Sequence, residues 1–290
     1  MLVASIGAFA ADSAKQIKMV KDEISTNDVR KITTENNCRV ERYSIMSKCM
    51  DKPVEIAVVL PPSYLTDTNC FPVLYTLHGY GAPYDTWANM YPLKEALADK
   101  PMIVVCFDAG TSWYIDSKVA TNSLYETFFF KELNPHVEKN YRVDAEKRGV
   151  TGFSMGGFGA FRYAAKQPGY FNSVSGLSSA FSKNDGNYAS REKWLKPLLG
   201  SATENIENYK DTDCYLLIKQ AVDSGKGFPP SYLGCGTEDR LIAGNKVMSA
   251  YLKELSLSCE YVESPGAHNW PYWKMTSPEI INFHWKEFNK

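Results

Sequence analysis

The chain has 290 residues, enough for one large domain or two small ones. Its 32 Lys and Arg residues balance 33 Asp and Glu residues, and this absence of a basic surplus argues against nucleic-acid binding as the main task. Apolar residues make up 44% and charged residues 22%, which excludes a disordered chain. The sequence contains no run of 18 apolar residues, so no transmembrane helix is predicted.

The N-terminal segment has two interpretations. Residues 1–11 read MLVASIGAFAA, an apolar run that ends in the small-x-small pattern Ala8-Phe9-Ala10, typical of a signal-peptide cleavage site. No charged region precedes the run, so an ordinary N-terminal segment is the alternative. Residues 12–37 are polar without a clear period, and we interpret them as a loose arm. A cleaved signal predicts a secreted or periplasmic protein, and an intact N-terminus a cytoplasmic one.

From about residue 38 onward, short apolar strands alternate with helices. The predicted strands are Arg39–Met50, Val54–Leu60, Pro72–Leu77, Met102–Phe107, Arg148–Phe153, Phe171–Leu177, Ser231–Cys235 and Cys259–Val262. The predicted helices are Pro92–Ala98, Asn122–Lys139 with an interruption at Pro135, Gly156–Lys166, Asp213–Val222, Ala243–Leu255 and one near the C-terminus. Only the polar stretch 180–210 breaks the alternation.

This order of elements predicts an α/β fold with a mostly parallel central sheet flanked by helices, in one domain over residues 38–290. Ligands of such sheets bind at the carboxyl ends of the strands, so the loops that follow the strands are expected to hold the functional residues.

The cysteines and histidines form no metal-binding pattern. No CxxC pair occurs and the chain has only 4 His, so neither a metal nor a redox site is predicted. Free cysteines are among the most buried residues, and we expect mostly buried thiols, although disulfides remain possible. The cysteines are Cys38, Cys49, Cys70, Cys106, Cys214, Cys235 and Cys259.

The strongest motif follows the strand Arg148–Phe153. Gly152, Ser154 and Gly156 form a G-x-S-x-G pattern between a strand and a helix. A serine hydroxyl becomes a useful nucleophile only when a sharp turn presents it to a base, and side chains at the two glycine positions would clash there. The Met155 N–H, at the helix start, is placed to stabilise an oxyanion. The alternative is a glycine-rich turn that packs a helix on a strand.

The base of such a site is expected near the C-terminus, in the order serine, acid, histidine. His268 lies in a Pro- and Gly-containing loop after the last predicted strand. His136 and His284 lie in helical stretches and are expected to have packing roles.

Asp239 follows the strand Ser231–Cys235 and is the expected acid that orients the imidazole, with the adjacent Glu238 as the alternative. Asp211, Asp213 and Asp223 precede that strand and are interpreted as solvated charges.

A second oxyanion donor is expected in the loop after Pro72–Leu77. His78-Gly79-Tyr80-Gly81 supplies flexible backbone, and the Tyr80 N–H is the candidate. His78 is expected to brace this loop by hydrogen bonds. An ordinary glycine turn is the alternative for the whole segment.

Five segments, LHGYGAPYDTW, DAGTSWY, GFSMGGFGA, CGTEDRL and GAHNWPYW, together resemble the α/β-hydrolase esterases related to esterase D. That group includes feruloyl esterases, acetyl xylan esterases, S-formylglutathione hydrolases and mycolyltransferases. The resemblance implies an α/β-hydrolase fold, no cofactor, Ser154 as nucleophile, His268 as base and Asp239 as acid. It also implies that the backbone amides of Tyr80 and Met155 form the oxyanion hole. The first loop reads HGYGAP where many relatives have HGxGG, which makes Tyr80 the less typical donor.

The resemblance implies ester hydrolysis through an acyl-enzyme, with a small-molecule or polysaccharide ester as substrate. Aromatic residues in loops near the predicted site could stack on a cinnamoyl ring or a sugar, or fill the core instead. These candidates are Trp87, Trp113, Tyr114, Trp270 and Trp273.

With the possible signal peptide, these aromatic residues favour removal of feruloyl or acetyl groups from plant cell-wall polysaccharide such as xylan. The alternative is an S-formylglutathione hydrolase or general short-chain esterase. An acyltransferase and an inactive carbohydrate-binding homologue are further alternatives.

Overall fold

A computed structural model describes residues 30–181 and 187–290 of the chain. The apolar run at residues 1–11, and most of the polar arm after it, lie outside the described residues. Within the described part, no helix is both long enough and apolar enough to cross a membrane.

Nine strands of the described residues form one sheet, in the order β1-β2-β3-β5-β4-β6-β7-β8-β9. The pairs β1–β2, β2–β3 and β3–β5 are antiparallel, and the other pairs are parallel, so the predicted mostly parallel sheet is confirmed. The strands are β1 (Lys31–Glu35), β2 (Cys38–Ser47), β3 (Lys52–Leu60), β4 (Phe71–Leu77), β5 (Ile103–Phe107), β6 (Val143–Gly152), β7 (Ser173–Leu177), β8 (Ser231–Gly236) and β9 (Cys259–Ser264).

Strand β1 lies in the segment that the sequence analysis assigned to a loose arm. It pairs with β2 through a tight hairpin at Asn36 and Asn37, whose φ angles are 52° and 60°. Positive φ at both central residues is the geometry of a type I′ turn, and asparagine tolerates it better than most residues. The sheet therefore begins ahead of the predicted boundary at residue 38.

Helices cover both faces of the sheet. They are α1 (Tyr91–Ala96), α2 (Tyr125–Phe128), α3 (Asn134–Asn140), α4 (Met155–Lys166), α5 (Glu192–Leu199), α6 (Ile206–Lys210), α7 (Cys214–Asp223), α8 (Ile242–Glu254) and α9 (Trp270–Phe288). The predicted helix Asn122–Lys139 is divided into α2, a π-helical turn at Phe129–Leu133 and α3. Pro135 stands in the first turn of α3, where its missing N–H costs nothing, rather than at the interruption.

The core has two layers because successive residues of the central strands point to opposite faces. In β5, Val105 packs into the layer with α4 and α7, whereas Val104 packs into the layer with α1 and α9. All five residues of β5 are buried, as the continuous apolar run predicts for a strand covered on both faces.

His284 has the packing role that was expected of it. It is fully buried on α9, and its two ring nitrogens lie 2.7 Å and 2.8 Å from the hydroxyl oxygens of Ser173 and Ser175 on β7. Burial lowers the pKa of His284 to about 3, so the ring is neutral at physiological pH.

The cysteines are all free thiols. Cys38, Cys106, Cys214 and Cys235 are buried, as expected of unpaired thiols, whereas Cys70 is exposed.

Candidate active site

Strand register brings the predicted site loops together at one edge of the sheet. Leu77 at the end of β4 pairs with Gly152 at the end of β6. At the ends of the next strands, Leu177 pairs with Gly234, and Gly236 pairs with Ser264. The loops that carry Tyr80, Ser154, Asp239 and His268 therefore all leave the sheet side by side.

Ser154 occupies a strained corner between β6 and α4, with φ of 57° and ψ of −118°. A Cβ atom on Gly152 would lie 2.2 Å from the carbonyl carbon of Gly156, and one on Gly156 would lie 2.1 Å from the Leu77 oxygen. The predicted need for glycine at both positions is confirmed, because the backbone atoms on each side leave no room for a side chain.

Replacement of Gly156 by alanine is expected to lower the free energy of unfolding by about 3 kcal/mol, because the new methyl group meets rigid backbone. The better helix propensity of alanine offsets only about 1 kcal/mol of the cost. Gly225→Ala is the control, because nothing lies within 4 Å of its Cβ position. Only its φ of +74° is unfavourable for alanine, and this should lower the free energy of unfolding by about 1 kcal/mol. Urea unfolding of both variants gives the comparison, and equal stabilities would contradict the steric argument.

Ser154, His268 and Asp239 form a continuous hydrogen-bonded series. Nε2 of His268 lies 2.9 Å from Oγ of Ser154, and Nδ1 lies 3.1 Å and 3.0 Å from the two carboxylate oxygens of Asp239. A carboxylate only accepts, so Nδ1 carries the proton and Nε2 is free to accept the serine proton. The neighbouring Glu238 is exposed, and the structure places Asp239 rather than Glu238 against the imidazole.

The Asp239 carboxylate is buried but ionised. Burial raises its pKa, yet hydrogen bonds from His268 and the Leu241 amide outweigh this and leave the pKa below its ordinary value. The Leu241 amide donates to Oδ1 at 2.8 Å. The carboxylate is therefore a fixed negative charge behind the imidazole, as orientation of a catalytic histidine requires.

The loops of Asp239 and His268 are joined by their backbones. The amide of Glu238 donates to the Gly266 oxygen at 2.9 Å, and the amide of Thr237 donates to the Ser264 oxygen at 3.0 Å. A Cβ atom on Gly236 would lie 2.2 Å from the Gly266 oxygen, so this approach is possible only for glycine.

Tyr80 and Met155, whose amides are the predicted oxyanion donors, both lie at the candidate site. Both residues line the same cavity as Ser154, and neither amide donates a hydrogen bond to any group in the described part of the chain. His78 braces the first loop: Nδ1 lies 2.7 Å from the Gly79 oxygen, and Nε2 accepts from the Ala109 amide at 2.9 Å. Burial lowers the pKa of His78, so this buried ring acts as a neutral brace, as predicted.

Two cavities adjoin at the candidate site. The catalytic cavity, of about 650 Å³, is lined by Gly79, Tyr80, Ala82, Trp113, Phe153, Ser154, Met155, Ala180, Lys193, Trp194, Arg240, Leu241, His268 and Trp273. The side cavity, of about 210 Å³, is lined by Trp113, Phe158, Ala180, Phe181, Ser190, Arg191, Trp194, Leu195 and Leu241. Trp113 and Trp194 line both, so the side cavity extends the catalytic one along an aromatic wall.

Two of the predicted substrate-binding aromatic residues are core residues, and that prediction was wrong for them. Trp87 is fully buried and donates its indole N–H to the Leu77 oxygen at 3.1 Å. Tyr114 is also fully buried, and its hydroxyl donates to the His78 oxygen at 2.9 Å. Both therefore support the loop after β4 from inside the protein and cannot touch a substrate.

The other three aromatic candidates have different positions. Trp113 and Trp273 line the catalytic cavity, whereas Trp270 is 38% exposed and lines neither cavity. Sequence reasoning missed Trp194 on α5, which lines both cavities. The signal was the apolar spacing of Trp194, Leu195 and Leu199 inside the polar stretch 180–210.

Known proteins resemble this chain over most of its described length. The family model described as "Putative esterase" matches residues 47–283. Esterase Rv1288 of Mycobacterium tuberculosis is 30% identical over 263 residues that cover 81% of this chain, but the chain spans only 56% of that protein. An acetyl esterase of Caldicellulosiruptor saccharolyticus is 25% identical over 252 residues, which cover 81% of this chain and 93% of that enzyme.

A solved structure titled ferulic acid esterase superposes with a TM-score of 0.71 at 26% identity, covering 86% of this chain and 99% of that one. The expected α/β-hydrolase fold is therefore confirmed. A family match that includes the serine corner, the acid loop and the histidine loop, on a sheet of this topology, means that the chain belongs to the esterase family.

Proposed function

We propose that the chain is a serine carboxylic ester hydrolase that works through an acyl-enzyme and removes feruloyl or acetyl groups from plant cell-wall polysaccharide such as xylan. The hydrogen-bonded series from Ser154 through His268 to Asp239, at a cavity that Tyr80 and Met155 also line, is the observation that supports the chemistry. No cofactor enters this mechanism.

In the proposed reaction, Oγ of Ser154 attacks the ester carbonyl carbon while Nε2 of His268 takes the hydroxyl proton. The amides of Tyr80 and Met155 hold the oxyanion of the tetrahedral intermediate. The intermediate collapses, the carbon–oxygen bond to the alcohol breaks, and His268 returns the proton to the leaving alcohol. A water molecule then attacks the acyl-enzyme with the same base, releasing the acid and the free serine.

The side cavity favours a feruloyl over an acetyl group. Its walls of Trp113, Phe158 and Trp194 suit a flat aromatic ring, whereas a two-carbon acetyl group would leave the cavity largely empty.

A bulky residue at the mouth of the side cavity tests this assignment. Ser190 lines the cavity and is exposed, whereas the neighbouring exposed Ala189 does not line it. Ser190→Trp is expected to raise KM for methyl ferulate by about tenfold and to leave p-nitrophenyl acetate hydrolysis nearly unchanged. Ala189→Trp is the matched control and should change neither.

Equal losses on both esters in Ser190→Trp would contradict the side cavity as the acyl site. A preference of the unmodified protein for acetylated xylan over methyl ferulate would favour the acetyl group instead. Transfer of the acyl group to added sugar, rather than to water, would identify an acyltransferase. Binding of polysaccharide without ester cleavage would identify an inactive carbohydrate-binding homologue.

The second candidate function is S-formylglutathione hydrolysis, or general short-chain ester hydrolysis. Lys193 and Arg240 line the catalytic cavity, and neither pairs with a carboxylate in the described part of the chain. Lys193 Nζ instead lies 4.9 Å from the Trp194 ring. Glutathione carries carboxylate groups, so two unpaired cations at the cavity favour an anionic leaving group of this kind.

Substrate preference separates the two candidates. If the thioester is the substrate, Lys193→Gln with Arg240→Gln should raise KM for S-formylglutathione and leave KM for the uncharged methyl ferulate unchanged. Lys196→Gln, on the same helix but paired with Glu192, is the control. Negligible hydrolysis of the thioester by the unmodified protein would exclude this candidate.

A secreted or periplasmic location belongs to the same proposal, as does a single catalytic domain that begins with β1 rather than at residue 38. Polysaccharide in plant cell walls is reached only outside the cell. N-terminal sequencing of the natural protein tests whether cleavage follows Ala10.

A further inference from the structure

Asn245 is a fully buried polar residue on α8, the helix that follows the loop of Asp239. Both ends of its side-chain amide are hydrogen-bonded. Oδ1 accepts from the Ser179 amide at 3.1 Å, and Nδ2 donates to the carbonyl oxygens of Ser179 at 3.0 Å and Leu241 at 2.9 Å. Two carbonyl oxygens require a donor between them, which identifies Nδ2 as the atom that faces them. The side chain therefore joins the loop after β7 to the start of α8.

The first of these carbonyl oxygens belongs to a peptide group that also binds the nucleophile. This group joins Ser179 to Ala180, and its N–H, on Ala180, donates to the carbonyl oxygen of Ser154 at 2.9 Å. A peptide group is planar and rigid, so its C=O and N–H keep a fixed relation to each other. Asn245 is therefore connected to the main chain of the nucleophile through one peptide group.

The second carbonyl oxygen has the same relation to the acid. It belongs to the peptide group between Leu241 and Ile242, whose N–H, on Ile242, donates to the carbonyl oxygen of Asp239 at 3.0 Å. The Leu241 amide also donates to Oδ1 of the Asp239 side chain at 2.8 Å. Asn245 is thus connected to the main chain of the acid through one peptide group as well.

We propose that Asn245 is a positioning residue that sets the distance between Ser154 and Asp239, by hydrogen-bonding to the two peptide groups that bind their carbonyl oxygens. This inference rests on the proposed function, because it concerns the geometry of that same site. The ring nitrogens of His268 lie 2.9 Å from Oγ of Ser154 and 3.0 Å from Oδ2 of Asp239. An imidazole has a fixed size, so a shift of the acid relative to the nucleophile would lengthen one of these contacts.

The test measures kcat for p-nitrophenyl acetate in variants of Asn245. Asn245→Leu has a similar volume and removes all three hydrogen bonds, and we expect kcat to fall by about tenfold. Asn134→Leu is the matched control, because Asn134 is also buried on a helix, where its Nδ2 donates to the Tyr170 hydroxyl at 2.8 Å. The control should have a lower melting temperature but retain full kcat. Equal losses of kcat in the two variants would contradict a specific role of Asn245.

A double-mutant cycle with the acid separates positioning from a purely structural role. In an Asp239→Asn background, Asn245→Leu should lower kcat by no more than about twofold, because the distance that Asn245 sets matters only while a carboxylate orients the imidazole. A structural role elsewhere in the fold would lower kcat by the same factor in both backgrounds. Equal factors would therefore overturn the inference.

Thermal unfolding and circular dichroism show whether each variant folds, and kcat is referred to the folded fraction. Asn245→Ala decides the question if Asn245→Leu does not fold, because its smaller side chain leaves space for a water molecule to satisfy the Ser179 amide. It should also lose about tenfold in kcat, since a water molecule does not fix the two peptide groups relative to each other.

The failure of this inference differs from the failure of the proposed function. Full kcat in a folded Asn245 variant, with an inactive Ser154→Ala, would reject the positioning role and leave the proposed function intact. An active Ser154→Ala would instead reject the proposed function.

Discussion

Replacement of Ser154 by alanine is expected to lower kcat for ester hydrolysis by about 10⁶-fold, because loss of a catalytic serine removes the whole covalent route. The residual rate would come from substrate binding and from the proposed oxyanion-hole amides of Tyr80 and Met155. The variant should fold normally, since the smaller side chain fits the same corner and the backbone bonds of residue 154 to Leu177 and Ala180 are retained.

Covalent labelling tests independently whether Ser154 is the nucleophile. A fluorophosphonate should modify the unmodified protein once, and peptide mass spectrometry should locate the adduct on Ser154. Circular dichroism of the alanine variant controls for misfolding. An adduct on another residue, or a folded alanine variant with undiminished kcat, would refute Ser154 as the nucleophile.

Replacement of Asp239 by asparagine is expected to lower kcat by about 10⁴-fold with little change in KM. An asparagine side chain offers its carbonyl or its NH₂ group to Nδ1 of His268. In the second orientation Nδ1 must accept, so the proton moves to Nε2, which can then no longer take the proton of Ser154. The matched control is Glu238→Gln, one residue away and exposed, which should leave kcat unchanged.

A loss of activity in Glu238→Gln with full activity in Asp239→Asn would show that the acid is misassigned.

The pKa of Asp239 lies below its ordinary value, so the carboxylate stabilises the folded state at all pH values above that ordinary pKa. That contribution is lost only as the pH falls through the lowered pKa of the folded state. The asparagine variant should therefore be less sensitive than the unmodified protein to unfolding in strong acid.

Those parts of the fold that depend on local pattern could be predicted from the sequence. The buried run of β5 and the strand–turn–helix at Ser154 follow from apolar spacing and from glycine positions that the chain shows directly. Strand β1 could not be identified in this way, because the Asn36-Asn37 turn is a weaker hairpin signal than Asn-Gly and the strand itself is polar.

Side chains whose roles depend on distant contacts were the ones that sequence reasoning misplaced or missed. Trp87 and Tyr114 lie in loops, but whether a loop ring faces solvent or core depends on the elements that pack over it. Ser178 has no motif around it, and its contacts with Gly234 on β8 and Trp273 on α9 become visible only in the folded chain. The nucleophile, base and acid could be proposed earlier because their chemistry limits the residue types and their order.

The contact between Gly236 and Gly266 has a consequence for how relatives can diverge. The distance between Asp239 and His268 is fixed by the backbone contact between the loops that carry them. The side chains that contact a substrate do not set it. Helix α5, with Trp194 and Lys193, belongs to a different segment and makes no part of that contact. Amino-acid changes in α5 can thus alter which esters are accepted while proton transfer retains its geometry, so new specificities can evolve without loss of turnover.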